Sequence, residues 1–184
     1  MKTLLLLLLI PTISLANNLN SPLTFKKCSD SKIIQVLPKE LKSRVKVIAI
    51  IVDKIATRLK VNPCVILSIV WTESTFKASQ RSFKGANGLM QVMPRTASAM
   101  RLKLKYDLNK MISANLGYGL DFWEVENLVI GTYYYSRLLK RYNGSNKKAL
   151  IAYNRGPTYM TNTYVNDNYF RKVSGKFNSI AINN

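Results

Sequence analysis

Residues 62–74 read Asn-Pro-Cys-Val-Ile-Leu-Ser-Ile-Val-Trp-Thr-Glu-Ser. Asn62 is a helix-capping residue type, and Pro63 sits where the first turn has no use for an N–H, so the stretch opens as a helix. Its residues from Cys64 to Trp71 are apolar on nearly every side, and a helix of that kind is buried. Glu73 stands at its end, on the face shared by Ile66, Ile69 and Val70. A carboxylate placed there has lost the water that favours its charged form. Its pKa is expected to rise, which suits a general acid. The plainer reading puts Glu73 just past the buried turns, in solvent or paired with Lys77 four residues on. The helix alone leaves both open.

The surrounding pattern is helical throughout. Upstream, Leu41, Val45, Ile48, Val52, Ile55 and Leu59 step by three and four residues with Lys42, Lys46, Asp53 and Arg58 between them, the mark of an amphipathic helix. Downstream, residues 79–93 are rich in Ser, Gly and Asn and read as a loop. Pro94 opens a short helix around Thr96 to Leu102, and a less regular stretch follows to about Glu126. Asn127 is expected to cap a long helix through Ile130, Tyr134, Leu138 and Tyr142, ended by the Asn143-Gly144 turn. A helix over Asn146 to Tyr153 comes next. After Gly156-Pro157 a last one is expected over Tyr159 to Arg171. No repeat, heptad run or strand alternation is visible, so the fold class is all-α. Residues 39–175 are expected to form one domain after an irregular lead-in at 17–38, with a tail at 176–184.

Composition narrows the chemistry. The 184 residues hold 28 Lys and Arg, 9 Asp and Glu and no His, a formal net charge of +19. No histidine relay and no His-ligated zinc can be built, and two cysteines make no thiolate metal site alone. Carboxylates, Lys and Tyr must carry any acid and base work, and no metal site is expected. Residues 1–16 read as a secretory signal peptide: Lys2, an apolar run from Leu4 to Ile10, and small residues at Ser14 and Ala16. That run is shorter than the roughly 20 apolar residues a bilayer span needs, so no stable membrane span is expected after cleavage. Export to a periplasm or cell-wall space implies an oxidising compartment, where Cys28 and Cys64 are the one possible intramolecular disulfide. The alternative is two free thiols, with Cys64 a small hydrophobe on a buried helix. A cationic excess of this size suits an anionic polymer or merely a solvated face. Export favours the cell wall over nucleic acid, which is not expected as a partner.

Four segments carry a resemblance: Glu73-Ser74; Ser82-Phe83-Lys84-Gly85-Ala86-Asn87-Gly88-Leu89-Met90-Gln91-Val92-Met93-Pro94; Asn127-Leu128-Val129-Ile130-Gly131 with Tyr134; and Ala152-Tyr153-Asn154-Arg155-Gly156-Pro157. Their type and order resemble the soluble, goose-lysozyme-like lytic transglycosylases, over roughly residues 60 to 160. The resemblance implies a compact lysozyme-like helical domain with a glycan cleft. It makes Glu73 the catalytic acid, which protonates the glycosidic oxygen and then takes a proton from the attacking hydroxyl. Ser82, Gln91 and Tyr153 match positions that bind sugar and orient the acid, Met93 matches the groove lining, and Asn154 is implied to be structural or supporting. Gly85 and Gly88 suit positive φ and close backbone approach, or simply a flexible loop. Arg155 departs from the family, which often has alanine there, and 101–126 matches nothing.

The implied substrate is peptidoglycan, cut between N-acetylmuramic acid and N-acetylglucosamine to leave 1,6-anhydro ends with no cofactor. Small exported members often serve a secretion, conjugation or pilus apparatus. Two rivals stand beside this reading. A lysozyme would hydrolyse the same bond with a second carboxylate, for which Asp107, Asp121, Glu124 and Glu126 are the candidates. A cationic wall-binding protein would leave Glu73 idle.

Overall fold

The computed structural model describes residues 27–35, 37–161 and 166–181, and the expected signal peptide lies outside them. Among the described residues the chain is helical, with α1 at Lys32–Gln35, α2 at Lys39–Arg58, α3 at Pro63–Ser74, α4 at Pro94–Leu104, α5 at Tyr106–Ser113, α6 at Phe122–Arg141, α7 at Asn146–Arg155 and α8 at Asn168–Ala181. The central helix is α3. Every residue from Pro63 to Val70 is buried, and α2 and α8 pack against it, while α6 carries α4, α5 and α7. Asn62 caps α3 as expected, its side-chain oxygen accepting the Cys64 N–H at 2.9 Å.

The other end of α3 turns sharply. Thr75 and Phe76 both take left-handed backbone conformations, φ 50° and 64°, an uncommon choice for a β-branched or aromatic residue. Packing offsets that strain. The Phe76 ring is buried at 6.1 Å from Trp71, and Arg44 on α2 donates its Nε to the Phe76 carbonyl. The chain then enters the Ser/Gly/Asn-rich loop, tightened by antiparallel bridges of Arg81 with Asn87 and of Asn87 with Val92.

Several expected boundaries move. The stretch before Glu126 contains α5, whose Leu108, Met111 and Ile112 are buried. The long helix starts at Phe122 under a reciprocal cap: Asp121 accepts the Glu124 N–H at 2.8 Å and Glu124 accepts the Asp121 N–H at 2.9 Å. Asn127 is therefore inside α6, free to act elsewhere. The last helix begins at Asn168, after a 3₁₀ turn at Pro157–Thr161, and runs beyond 175. Phe177 and Ile180, expected in a tail, are core residues.

The lead-in is not wholly irregular either. Residues Cys28–Asp30 form a 3₁₀ turn whose Cys28 and Ser29 N–H groups donate to Asp53 at 2.8 and 3.1 Å. Asp53, expected on the wet face of α2, is thus buried and satisfied by two backbone donors. Cys28 and Cys64 are both buried free thiols, in side-chain contact with each other, and burial pushes the Cys28 thiol far up.

One close approach has a direct test. A Cβ on Gly131 of α6 would lie 2.5 Å from Met90 Sδ and 2.8 Å from Met90 Cβ. Gly131→Ala should destabilise the protein by about 1–3 kcal/mol, the usual cost of overpacking. An unchanged thermal midpoint would show that Met90 can retreat.

Candidate active site

Glu73 lies on the last turn of α3, and burial holds its carboxyl above the ordinary value. The residue is half-buried, and its side chain is turned to Tyr169, with no ion pair to Lys77 among the described residues. Its Oε1 accepts a 2.6 Å hydrogen bond from the Tyr169 hydroxyl, which comes from α8, 96 residues away. That donor stabilises the charged form and pulls the pKa partly back. Tyr169 itself stays a phenol, raised well above its usual range by burial first and by the Glu73 charge second. The same two causes, in the same order, raise Tyr153.

The loop beside Glu73 is pinned from three helices. Ser74 Oγ on α3 bonds the Leu89 carbonyl at 2.9 Å. Asn127 on α6 accepts the Met90 N–H at 2.8 Å and donates to the Asn87 carbonyl at 3.0 Å. Tyr153 on α7 donates to the Met90 carbonyl at 2.8 Å. Gly88 fits because it has no side chain: at φ +79° a Cβ would sit 2.7 Å from the Asn127 amide. Gly85 also has positive φ, but open space around it.

The expected site residues divide accordingly. Ser82 accepts the Ala86 N–H and shapes the loop's turn. Gln91 sits at φ 46° with its side-chain nitrogen donating to the Gln80 and Gly88 carbonyls, which fixes the loop from within. Tyr153 faces the Glu73 charge while its hydroxyl holds Met90, with the Tyr134 ring at 5.3 Å. Met93 is exposed immediately before α4. Asn154 is exposed at the end of α7, on a small cavity shared with Tyr169. Glu73, Tyr153 and Tyr169 come together; Ser82 and Gln91 support the loop between them.

The four candidate second carboxylates are all engaged elsewhere. Glu124 pairs with Arg44, Glu126 with Arg101 and Asp107 with Arg58, and Asp121 caps α6. Among the described residues Glu73 interacts with tyrosines and with no other acid. A larger groove of about 910 Å³ also borders the loop, lined by Arg44, Arg101, Glu124 and Glu126 among others. Glu73 does not line it, and those four charges close on one another.

With this geometry, the comparisons with known proteins can be placed. Residues 50–174 match the family described as the transglycosylase SLT domain. The chain belongs to that family. The SLT fold also appears in the lytic transglycosylase Slt from Pseudomonas aeruginosa, known from an X-ray structure of an inactive mutant. That protein is 23% identical with a TM-score of 0.50, and the match covers 70% of this chain and 21% of that one. The likeness shows a shared fold, and this SLT chain spans about a fifth of its neighbour's length.

Tyr169 was not legible as a site residue. With Val173, Phe177 and Ile180 it forms the buried stripe of α8, so it reads as core; only its polar tip, in a stripe otherwise apolar, gave a signal. Tyr169→Phe removes the one contact that lowers the Glu73 pKa. The expected outcome is a Glu73 titration displaced to higher pH, read by NMR of its carboxyl carbon, and a displacement to lower pH would refute Tyr169 as the donor.

Proposed function

We propose that this SLT-domain chain is a peptidoglycan lytic transglycosylase with Glu73 as its single catalytic acid. One observation carries the reading: a half-buried carboxyl bonded to the Tyr169 hydroxyl, in a site with tyrosines and no second carboxylate beside it among the described residues. Burial favours the protonated form of such a group over that of an exposed glutamate, the direction that suits a general acid. The proton passes from Glu73 to the glycosidic oxygen as the bond from C1 breaks. The N-acetyl group of the muramic acid stabilises the positive charge at C1, and the C6 hydroxyl of the same sugar attacks there. Glu73, now a carboxylate, takes the hydroxyl proton and is restored. A 1,6-anhydro end results and no water is consumed. Hydrolysis with a second carboxylate as nucleophile or base needs that group within about 5–9.5 Å of the first. The engagement of Asp107, Asp121, Glu124 and Glu126 elsewhere weighs against the lysozyme alternative.

Glu73→Gln keeps the shape and the Tyr169 contact while removing the proton source. It should abolish release of anhydro-muropeptides from isolated sacculi, assayed by mass spectrometry against the parent protein. Near-full release by the variant would remove Glu73 from the mechanism, and reducing ends from the parent would make the protein a lysozyme.

The same reading places the protein outside the cytoplasm, where its substrate lies, with residues 1–16 as the export signal. Local wall opening for a secretion, conjugation or pilus apparatus is the setting that fits a small domain of this type. No helix among the described residues is long and apolar enough to cross a membrane. An oxidising compartment would join the adjacent Cys28 and Cys64 thiols, each sulfur losing its hydrogen to an oxidant such as a glutathione disulfide. That bridge would tie the 3₁₀ turn at Cys28–Asp30 to the start of α3. Protein refolded with oxidised glutathione is expected to show no free thiol after denaturation. Two free thiols under those conditions would eliminate the disulfide.

A further inference from the structure

A cavity of about 160 Å³ adjoins the hydrogen-bond partner of Glu73, lined by Asn154, Arg155, Asn166, Asn168, Tyr169 and Lys172. Its parts are held in place. Arg155 ends α7, and its guanidinium lies over the Tyr159 ring at 5.3 Å. The Tyr159 hydroxyl accepts the Asn166 N–H at 3.2 Å, and the Asn166 side chain accepts the Asn168 N–H at 2.9 Å, at the start of α8. Lys172 follows Tyr169 by three residues on that helix, hence on the same face.

The charge of this cavity is uncompensated. Among the described residues no carboxylate lines it. Neither Arg155 nor Lys172 has an ion-pair partner among the described residues, and Asp167, the nearest acid in sequence, is engaged by Lys147 and Arg171. Elsewhere the ion pairs of the surface groove close on themselves. Here two cations and three asparagines line one cavity beside Tyr169, the partner of Glu73, with no acid paired to either cation among the described residues.

We propose that this cavity is an anion subsite, in which Arg155 and Lys172 bind a carboxylate of the peptide attached to the glycan strand while Glu73 addresses the sugar. The inference rests on the peptidoglycan reading above. In strands that carry peptides the sugars are neutral and the lactyl carboxyl is tied up in the amide to the peptide, so the anions are the peptide carboxylates. A guanidinium fork matches two carboxylate oxygens, and an ammonium and amide N–H groups complete the shell. The volume suits a carboxylate on a short chain and is below the roughly 300–1,000 Å³ of pockets that engulf larger ligands.

The test compares binding to glycan strands that carry peptides with binding to bare neutral strands of β-1,4-linked N-acetylglucosamine, which lack both the peptide and the lactyl carboxyl. Glu73→Gln protein is used so that nothing is cut, with and without Arg155→Ala and Lys172→Ala together. Exposed charge contacts contribute up to about 1 kcal/mol each. The double replacement should therefore weaken binding to peptide-bearing strands roughly three- to tenfold, leave bare strands unaffected, and lose its effect as salt is added. Arg155→Lys keeps the charge but loses the fork and the stacking on Tyr159, so it should retain only part of the preference. Equal weakening on both strand types, or none on peptide-bearing strands, would overturn the subsite. Cleavage by the parent protein is scored separately, so an inactive parent with an intact binding preference would count against the proposed reaction and not against the subsite.

Discussion

The position of Met90 constrains the rest of the site. Its N–H is held by Asn127 of α6, its carbonyl by Tyr153 of α7, and the carbonyl of the residue before it by Ser74 of α3. Its side chain is fully buried against the bare backbone of Gly131. A loop rich in Ser, Gly and Asn would otherwise carry a large conformational entropy. Three helices each give it one polar anchor and the core takes one side chain, so the segment next to Glu73 is as fixed as the helices themselves. The anchors are side chains from packed elements, the arrangement that holds a site to a narrow geometry.

The same packing creates the chemistry at Glu73. A carboxyl at the end of an apolar helix costs free energy when charged, and one phenol from α8 offsets only part of that cost. The site therefore trades stability for a proton held at higher pH than an exposed glutamate would hold it. The other acids are placed in the opposite way. Asp53 receives two backbone N–H groups, Glu124 and Glu126 receive guanidinium groups, and Asp121 caps a helix. Each has a hydrogen-bond donor or a cation as its partner. Glu73 is set apart by having aromatic hydroxyls for company instead.

The sequence made the helices legible wherever periodicity and caps agreed. The span of α3, from the Asn62-Pro63 start to the Glu73-Ser74 end, could be read directly, because a wholly apolar run has one stable environment. The start of α6 could not. Asn127 is as good a cap residue as Asp121, and only tertiary structure shows that its amide grips the loop while Asp121 and Glu124 close the true cap. The turn at Cys28–Asp30 was hidden because its N–H groups are satisfied by Asp53, more than twenty residues away. Gln91 and Ser82 were legible as site residues through the resemblance. Their hydrogen bonds assign them to shaping the loop, a role that residue type and spacing do not separate from touching a sugar.

The net charge of +19 takes on meaning through where the acids go. Asp107, Glu124, Glu126 and Asp167 are paired with basic side chains, and Asp53 and Asp121 serve the backbone. Most basic side chains consequently have no acid available to them and keep their charge toward solvent. A field of that sign reaches about a Debye length, roughly 8–10 Å at physiological salt, and draws any polyanion without choosing where it binds. Choice requires cations that are both unpaired and held in a cavity. Among the described residues Arg155 on the Tyr159 ring and Lys172 on the face of Tyr169 meet both conditions, and they do so beside Tyr169, the partner of the proposed catalytic carboxyl. General attraction and local recognition are thus separable in this protein: the first follows from composition, the second from the few positions where the fold places a cation and withholds its partner.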